Sequence, residues 1–280
     1  MAHGPVAAIT AAGAAAAGDA AFFAQAKDWL LALACATTRI QIALGLLPIF
    51  NKQIVPGMIR TAVGVCLSLI VVPGVHAALR AHPPDTVGLC AVLLKESFIG
   101  LLIGYGVAVL FWAVEGMGFF IDNQRGASIA STLNPLTGND SSPLGILFNQ
   151  AFIVYFVIAG GLPLLCTLLY RSYAMWPVMT WFPTLRPESG LIYAAMFQNL
   201  VKLALLLSAP VIVAMMLAEL GLALVSRFAP QMPVFFMAMP IKSGLAMCLL
   251  ALYLPTLFDL LQGEIGQLPT LLEQIGRSLG

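Results

Sequence analysis

The chain has 280 residues, 60% of them hydrophobic and only 9% charged, with a formal net charge of +1. Soluble domains carry about a quarter charged residues, so this composition, with a mean hydropathy of +0.96, reads as a membrane protein. The small net charge gives no electrostatic footprint for nucleic acid or for an acidic substrate.

Residues 1–28 are an Ala/Gly-rich tail without the basic region and compact apolar core of a secretory signal, and are read as a frayed or weakly helical extension. A bilayer-crossing helix needs about 20 mainly apolar residues. Segments 29–50, 58–79, 87–114, 144–170, 191–225 and 234–261 meet that requirement. Turn residues separate them: Asn51 with Pro56 and Gly57, then Pro83-Pro84-Asp85, then Trp176-Pro177 through Pro187, and Pro230-Gln231-Met232-Pro233. The expected fold is therefore all-α and membrane-embedded, with about six long apolar helices. Pro163, Pro210, Pro240 and Pro255 lie inside apolar runs and predict kinked or broken helices.

Between the third and fourth segments lies EGMGFFIDNQRGASIASTLNPLTGNDSSP, residues 115–143. Polar, irregular backbone facing lipid leaves unpaired N–H and C=O groups, so this stretch either leaves the bilayer or is enclosed by protein around a watery path. Asp122 and Arg125 stand three residues apart on one helical face and predict an ion pair, with Glu115 on the same stripe. Gly126, Ser128, Ser131 and their small neighbours suit close backbone contact, while Pro135 resists one continuous helix.

Seven charges interrupt the apolar segments: Arg39, Lys95, Glu96, Lys202, Glu219, Lys242 and Asp259. Each costs roughly 2.5–3.5 kcal/mol at a bilayer centre. Arg39 and Asp259 suit snorkelling from helix ends. Lys202, Glu219 and Lys242 suit protein-facing or lumen-facing positions. Loop Lys and Arg do not alternate between sides as the positive-inside rule requires, so some apolar segments are expected not to be ordinary lipid-embedded helices.

Gly100, Gly104 and Ala108 recur at four-residue intervals, the spacing that lets two helix backbones approach. The last third reads as a helical hairpin with arms 191–228 and 234–261 about a turn at 229–233. Its methionines, Met215, Met216, Met232, Met237 and Met239, give a soft surface of core or seal character. Chemistry is sparse. Cys35, Cys66, Cys90, Cys166 and Cys248 are scattered singly, and His3, His76 and His82 are isolated. There is no phosphate loop, HExxH or GxSxG, so no catalytic, cofactor or metal residues are assigned. A small secondary transporter or ion channel with a midplane polar site fits the intramembrane charges, though no internal repeat pairs the two halves.

Two long blocks carry a resemblance. The stretch 115–143 with the following Leu144-Gly145, and PVIVAMMLAELGLALVSRFAPQMPVFFMAMPIKSG at 210–244, resemble the T-type export-apparatus subunit of bacterial type III secretion systems. This is the SctT family, with YscT, SpaR and HrcT members, related to flagellar FliR. The resemblance covers roughly 29–261. One departure is Met232-Pro233 after the Pro-Gln pair, where the family has Asn before Val-Phe; proline removes a backbone donor there.

The resemblance implies a non-enzymatic subunit that forms and plugs the entry pore for unfolded substrate proteins in a multi-subunit, funnel-like assembly. It implies an R-type-like region at 29–190, an S-type-like hairpin at 191–262 and a C-terminal tail at 263–280. The plug maps onto 125–143, with Arg125, Gly126, Ser128, Ile129, Ser131, Leu133, Asn134 and Pro135 in the pore loop. Lys202, Glu219, Arg227 and Lys242 are expected to face other subunits or the lumen. Pro230, Gln231 and Phe235 mark the hairpin turn. The implied partners are R-type and S-type subunits around one copy of this chain, a U-type switch protein, basal-body rings and the polypeptides in transit. The implied location is the bacterial inner membrane, with the assembly projecting to the periplasmic side.

Overall fold

The computed structural model describes residues 4–51, 55–126, 142–180, 189–228, 231 and 234–279. In chain order these form α1 (Gly4–Leu46), a short 3-10 turn (Pro48–Phe50), α2 (Gly57–Ser68), α3 (Val72–Ala81), α4 (Thr86–Arg125), α5 (Pro143–Ile158), α6 (Gly161–Met175), α7 (Ser189–Phe228) and α8 (Val234–Leu279). The described residues contain no strand, so the all-α expectation holds.

Four stretches are long and apolar enough to cross a membrane: Phe22–Leu46, Thr86–Arg125, Gly190–Phe228 and Met237–Thr270. The pairs α2–α3 and α5–α6 pass the same test together but are bent by 67° and 74°. Counting each bent pair once recovers the six apolar segments. Several helices exceed a single crossing. At 1.5 Å per residue the 40 residues of α4 extend on the order of 60 Å, about twice a bilayer's hydrocarbon core.

Three details concern where the helices end and break. One helix runs from Gly4 to Leu46 and joins the Ala-rich tail to most of the first apolar segment; Ala is the best helix former, and its number outweighs Gly13 and Gly18. The return arm likewise continues past residue 261 to Leu279. Pro210, Pro240 and Pro255 sit within continuous helical elements, whereas the α5–α6 break falls at Ala159–Gly160, just before Pro163. Gly160 takes φ +81° there, a conformation that favours residues lacking Cβ.

The chain forms two compact units: residues 1–46, 50–104 and 169–183, and residues 47–49, 105–168 and 184–280. In the first unit α1 packs on α2, α3 and the first half of α4. Cys35, Ala36, Ile40, Ala43, Leu44 and Ile99 are fully buried. The expected close approach is present: a methyl on Gly100 would overlap the Arg39 carbonyl, and one on Gly104 would lie 2.9 Å from the Ala43 backbone. Trp29 stacks on His76 with ring centroids 4.0 Å apart.

In the second unit the later half of α4 packs on α5, and α7 lies against α8 as the expected hairpin. Phe111, Phe152 and Phe156 are fully buried, Phe111 meeting the other two rings edge-on at 4.8 and 5.1 Å. The hairpin leaves Leu206, Val213, Leu217, Leu220 and Leu224 exposed along α7.

Candidate functional site at the base of the polar loop

The polar stripe lies on helix. α4 continues past its apolar part to Arg125 and stops at Gly126, whose φ of +83° is the left-handed turn that ends many helices. The Gly126 N–H bonds the Asn123 carbonyl at 3.1 Å. On the far side of the loop, Ser142 caps α5: its Oγ accepts from the Gly145 N–H at 2.9 Å, with Pro143 opening the helix. The two helix ends thus face each other across residues 127–141.

Asp122 joins them. Its Oδ1 accepts from Arg125 Nε at 2.7 Å, and its Oδ2 accepts from the Ser142 hydroxyl at 2.5 Å and the Leu144 N–H at 2.9 Å. The Leu144 N–H is one of the first-turn donors that a helix cannot satisfy internally. One carboxylate, only 3% exposed, therefore neutralises Arg125, orients the α5 cap and fills a helix end. The contacts run in register down the two helices. Gly118 meets Gly145 so closely that a methyl on Gly118 would overlap the Gly145 backbone, and further along Glu115 Oε2 accepts from Asn149 Nδ2 at 3.0 Å.

The hairpin reaches the same helix end. Lys242 of α8 stands 2.7 Å from Glu219 of α7, and its Nζ donates to the Gln124 carbonyl at 3.4 Å. Gln124 Nε2 also donates to Glu219 at 3.5 Å. The Lys242 side chain is 11% exposed, and Glu219 keeps half its surface free, at 52%. Lys202 and Arg227 are exposed. Lys202 lines a pocket of about 310 Å³ with Asn199, Glu264 and Gln267. Gln231 is exposed. Ser128, Ile129, Ser131, Leu133, Asn134, Pro135 and Pro230 lie outside the described residues, and Phe235 falls in α8 with its side chain outside them.

A second charged cluster, in the other unit, corrects the reading of Arg39. This residue does not snorkel; it is fully buried and bidentate to Glu96, with Nε–Oε2 2.7 Å and NH2–Oε1 3.0 Å. It also donates to Ser172 Oγ and the Trp176 carbonyl and lies 4.1 Å from the centre of the Tyr173 ring. Lys95 pairs with Glu96 at 3.1 Å and donates to the carbonyls of Pro177, Val178 and Thr180. An isolated charge is intolerable at that depth, so each cation is fully engaged and the turn after α6 is tied to α4.

The residues that sequence reasoning passed over are Ser142, Asn149, Gln124, Ser172 and Trp176. Only Ser142 had a readable signal, the Ser-Pro pair that opens helices. Its groups mutually satisfied, the Asp122 cluster is a clasp. Among the described residues no group of three or more His, Cys, Asp or Glu is placed to hold a metal ion.

Comparison with known proteins places this geometry in context. The profile of the family described as bacterial export proteins, family 1, matches residues 30–268. Yop proteins translocation protein T of Yersinia pestis is 41% identical over 213 residues, covering 74% of this chain and 80% of that protein. Surface presentation of antigens protein SpaR of Salmonella typhimurium is 33% identical over 208 residues, covering 74% and 76%. Flagellar biosynthetic protein FliR of Bacillus subtilis is 27% identical over 213 residues, covering 76% and 82%.

Proposed function

The chain belongs to family 1 of the bacterial export proteins, and from that premise we propose that it is a non-enzymatic structural subunit of a type III secretion export gate, forming and plugging the entry pore for unfolded substrate proteins. One copy joins R-type and S-type subunits, with a U-type switch protein and the basal-body rings around them. The complex sits in the bacterial inner membrane and projects to its periplasmic side. The exposed apolar face of α7 fits burial against neighbouring subunits, and Lys202, Arg227 and the free side of Glu219 face those subunits or the lumen.

The observation that carries the plug reading is the Asp122 clasp. It brings the two ends of the loop together from one buried carboxylate, so a loop rich in small polar residues is presented from a fixed base. By sequence the loop offers Ile129 and Leu133, four residues apart, as the apolar side chains for a closure weak enough to yield to a passing chain. Burial of such side chains is worth about 1.5–3 kcal/mol each before ordering costs.

Two measurements test the proposal. Affinity purification of the tagged chain from its host recovers R-type and S-type subunits; a chain that purifies alone and transports a small solute in vesicles establishes the transporter reading instead. Deletion within 128–134 leaves the complex assembled and makes resting membranes leaky to ions. An intact complex with unchanged permeability removes the plug role and leaves the loop a connector.

A further inference from the structure

The end of α4 has a donor problem that the hairpin solves. The last four carbonyls of a helix have no intrahelical N–H partner, and a cation there also meets the negative end of the helix dipole. Gly126 satisfies the Asn123 carbonyl, and the Gln124 carbonyl receives Lys242 Nζ at 3.4 Å from a helix more than a hundred residues away in sequence. That lysine is itself held by Glu219 at 2.7 Å, and Glu219 also receives the Gln124 side chain. Main chain and side chain of Gln124 are therefore both gripped by the hairpin, two residues from Asp122 and one from Arg125.

We propose that Lys242 is a positioning residue through which the α7–α8 hairpin sets the end of α4, and hence the base of the polar loop. The ion pair alone would link α7 to α8. The bond to the Gln124 carbonyl extends that link to α4, and at 3.4 Å it is lost when the hairpin shifts by a fraction of an ångström. Movement of the hairpin by a partner or a transiting chain then releases the α4 terminus while leaving the Asp122 contacts to Ser142 and Leu144 in place. In its effect on the pore this inference rests on the plug reading above; in its effect on α4 it does not.

The test uses the assembled complex and reads two quantities. The first is the rate of tryptic cleavage at the Arg125–Gly126 bond, followed by mass spectrometry, which reports fraying of the α4 end whatever the loop does. The second is resting ion permeability. Lys242→Met is expected to speed that cleavage about fivefold, with complex recovery unchanged, and Lys242→Arg is expected to restore it because a cation again reaches the carbonyl. The exchange Lys242→Glu with Glu219→Lys keeps the α7–α8 pair but moves the donor, and is expected to cleave as fast as Lys242→Met. Wild-type cleavage in Lys242→Met, or full rescue by the exchange, overturns the proposal. Should Lys242→Met prevent assembly, the exchange and Lys242→Arg still decide it: equal cleavage in the two refutes the role of the carbonyl bond. Faster cleavage with unchanged permeability upholds the positioning role and counts against the plug reading instead.

Discussion

Replacing Asp122 by alanine removes three acceptor contacts at once, and the structure ranks their costs. The Leu144 N–H is buried at a helix start, where it finds no other acceptor, so its loss costs about 1–3 kcal/mol. The Arg125 pair resembles a buried one on the Asp side, with 5% of that side chain exposed, but Arg125 keeps 17% and can turn to water. Its contribution therefore falls below the roughly 3–5 kcal/mol of fully buried pairs and nearer to about 1 kcal/mol. Loosening of the Ser142 cap adds about 1 kcal/mol. Together Asp122→Ala should cost about 3–5 kcal/mol, against about 1 kcal/mol for Arg125→Ala, which leaves the Ser142 and Leu144 bonds intact. The double mutant should match Asp122→Ala, because Arg125 has no pair left to lose. The assay is retention of the purified complex on size exclusion after graded heating, with secretion measured in parallel. Equal effects of the two single mutants, or an additive double mutant, would refute the assignment of Asp122 as the clasp.

Two further expectations concern the Arg39 cluster and the glycines of α4. Arg39→Ala and Glu96→Ala should each destabilise by about 3–5 kcal/mol, Glu96→Ala the more because Lys95 loses its carboxylate too, whereas Arg39→Met with Glu96→Leu and Lys95→Met together should recover much of the loss; steady-state level and heat resistance of the assembled complex are the readouts, and a triple mutant worse than both singles would show that the charges are not paired only with one another. Gly100→Ala should lower complex recovery by forcing α4 off the Arg39 carbonyl, while Gly106→Ala, with open space around it, should be neutral or slightly favourable; equal behaviour of the two would remove the close-packing role.

Hydropathy and turn residues determined the helical class, the six apolar segments and the pairing of the last two long helices, because apolar run length and breakers act locally. The Asp122–Arg125 pair was legible for the same reason: both partners stand on one helix, three residues apart. So was the approach at Gly100 and Gly104, since their spacing marks a face, although nothing in it named α1 as the partner.

Only the tertiary structure decided where the remaining charges went. Arg39 finds Glu96 57 residues away and Ser172 133 residues away, and Lys242 finds Gln124 118 residues away. A sequence shows that a charge in an apolar segment needs a partner, because desolvation is a property of the residue and its immediate surroundings. The choice of partner is set by how helices separated by whole spans come to lie side by side, and no local pattern encodes that. Arg39 therefore looked like a residue reaching for water, and the fold made it the centre of a dry, fully paired cluster.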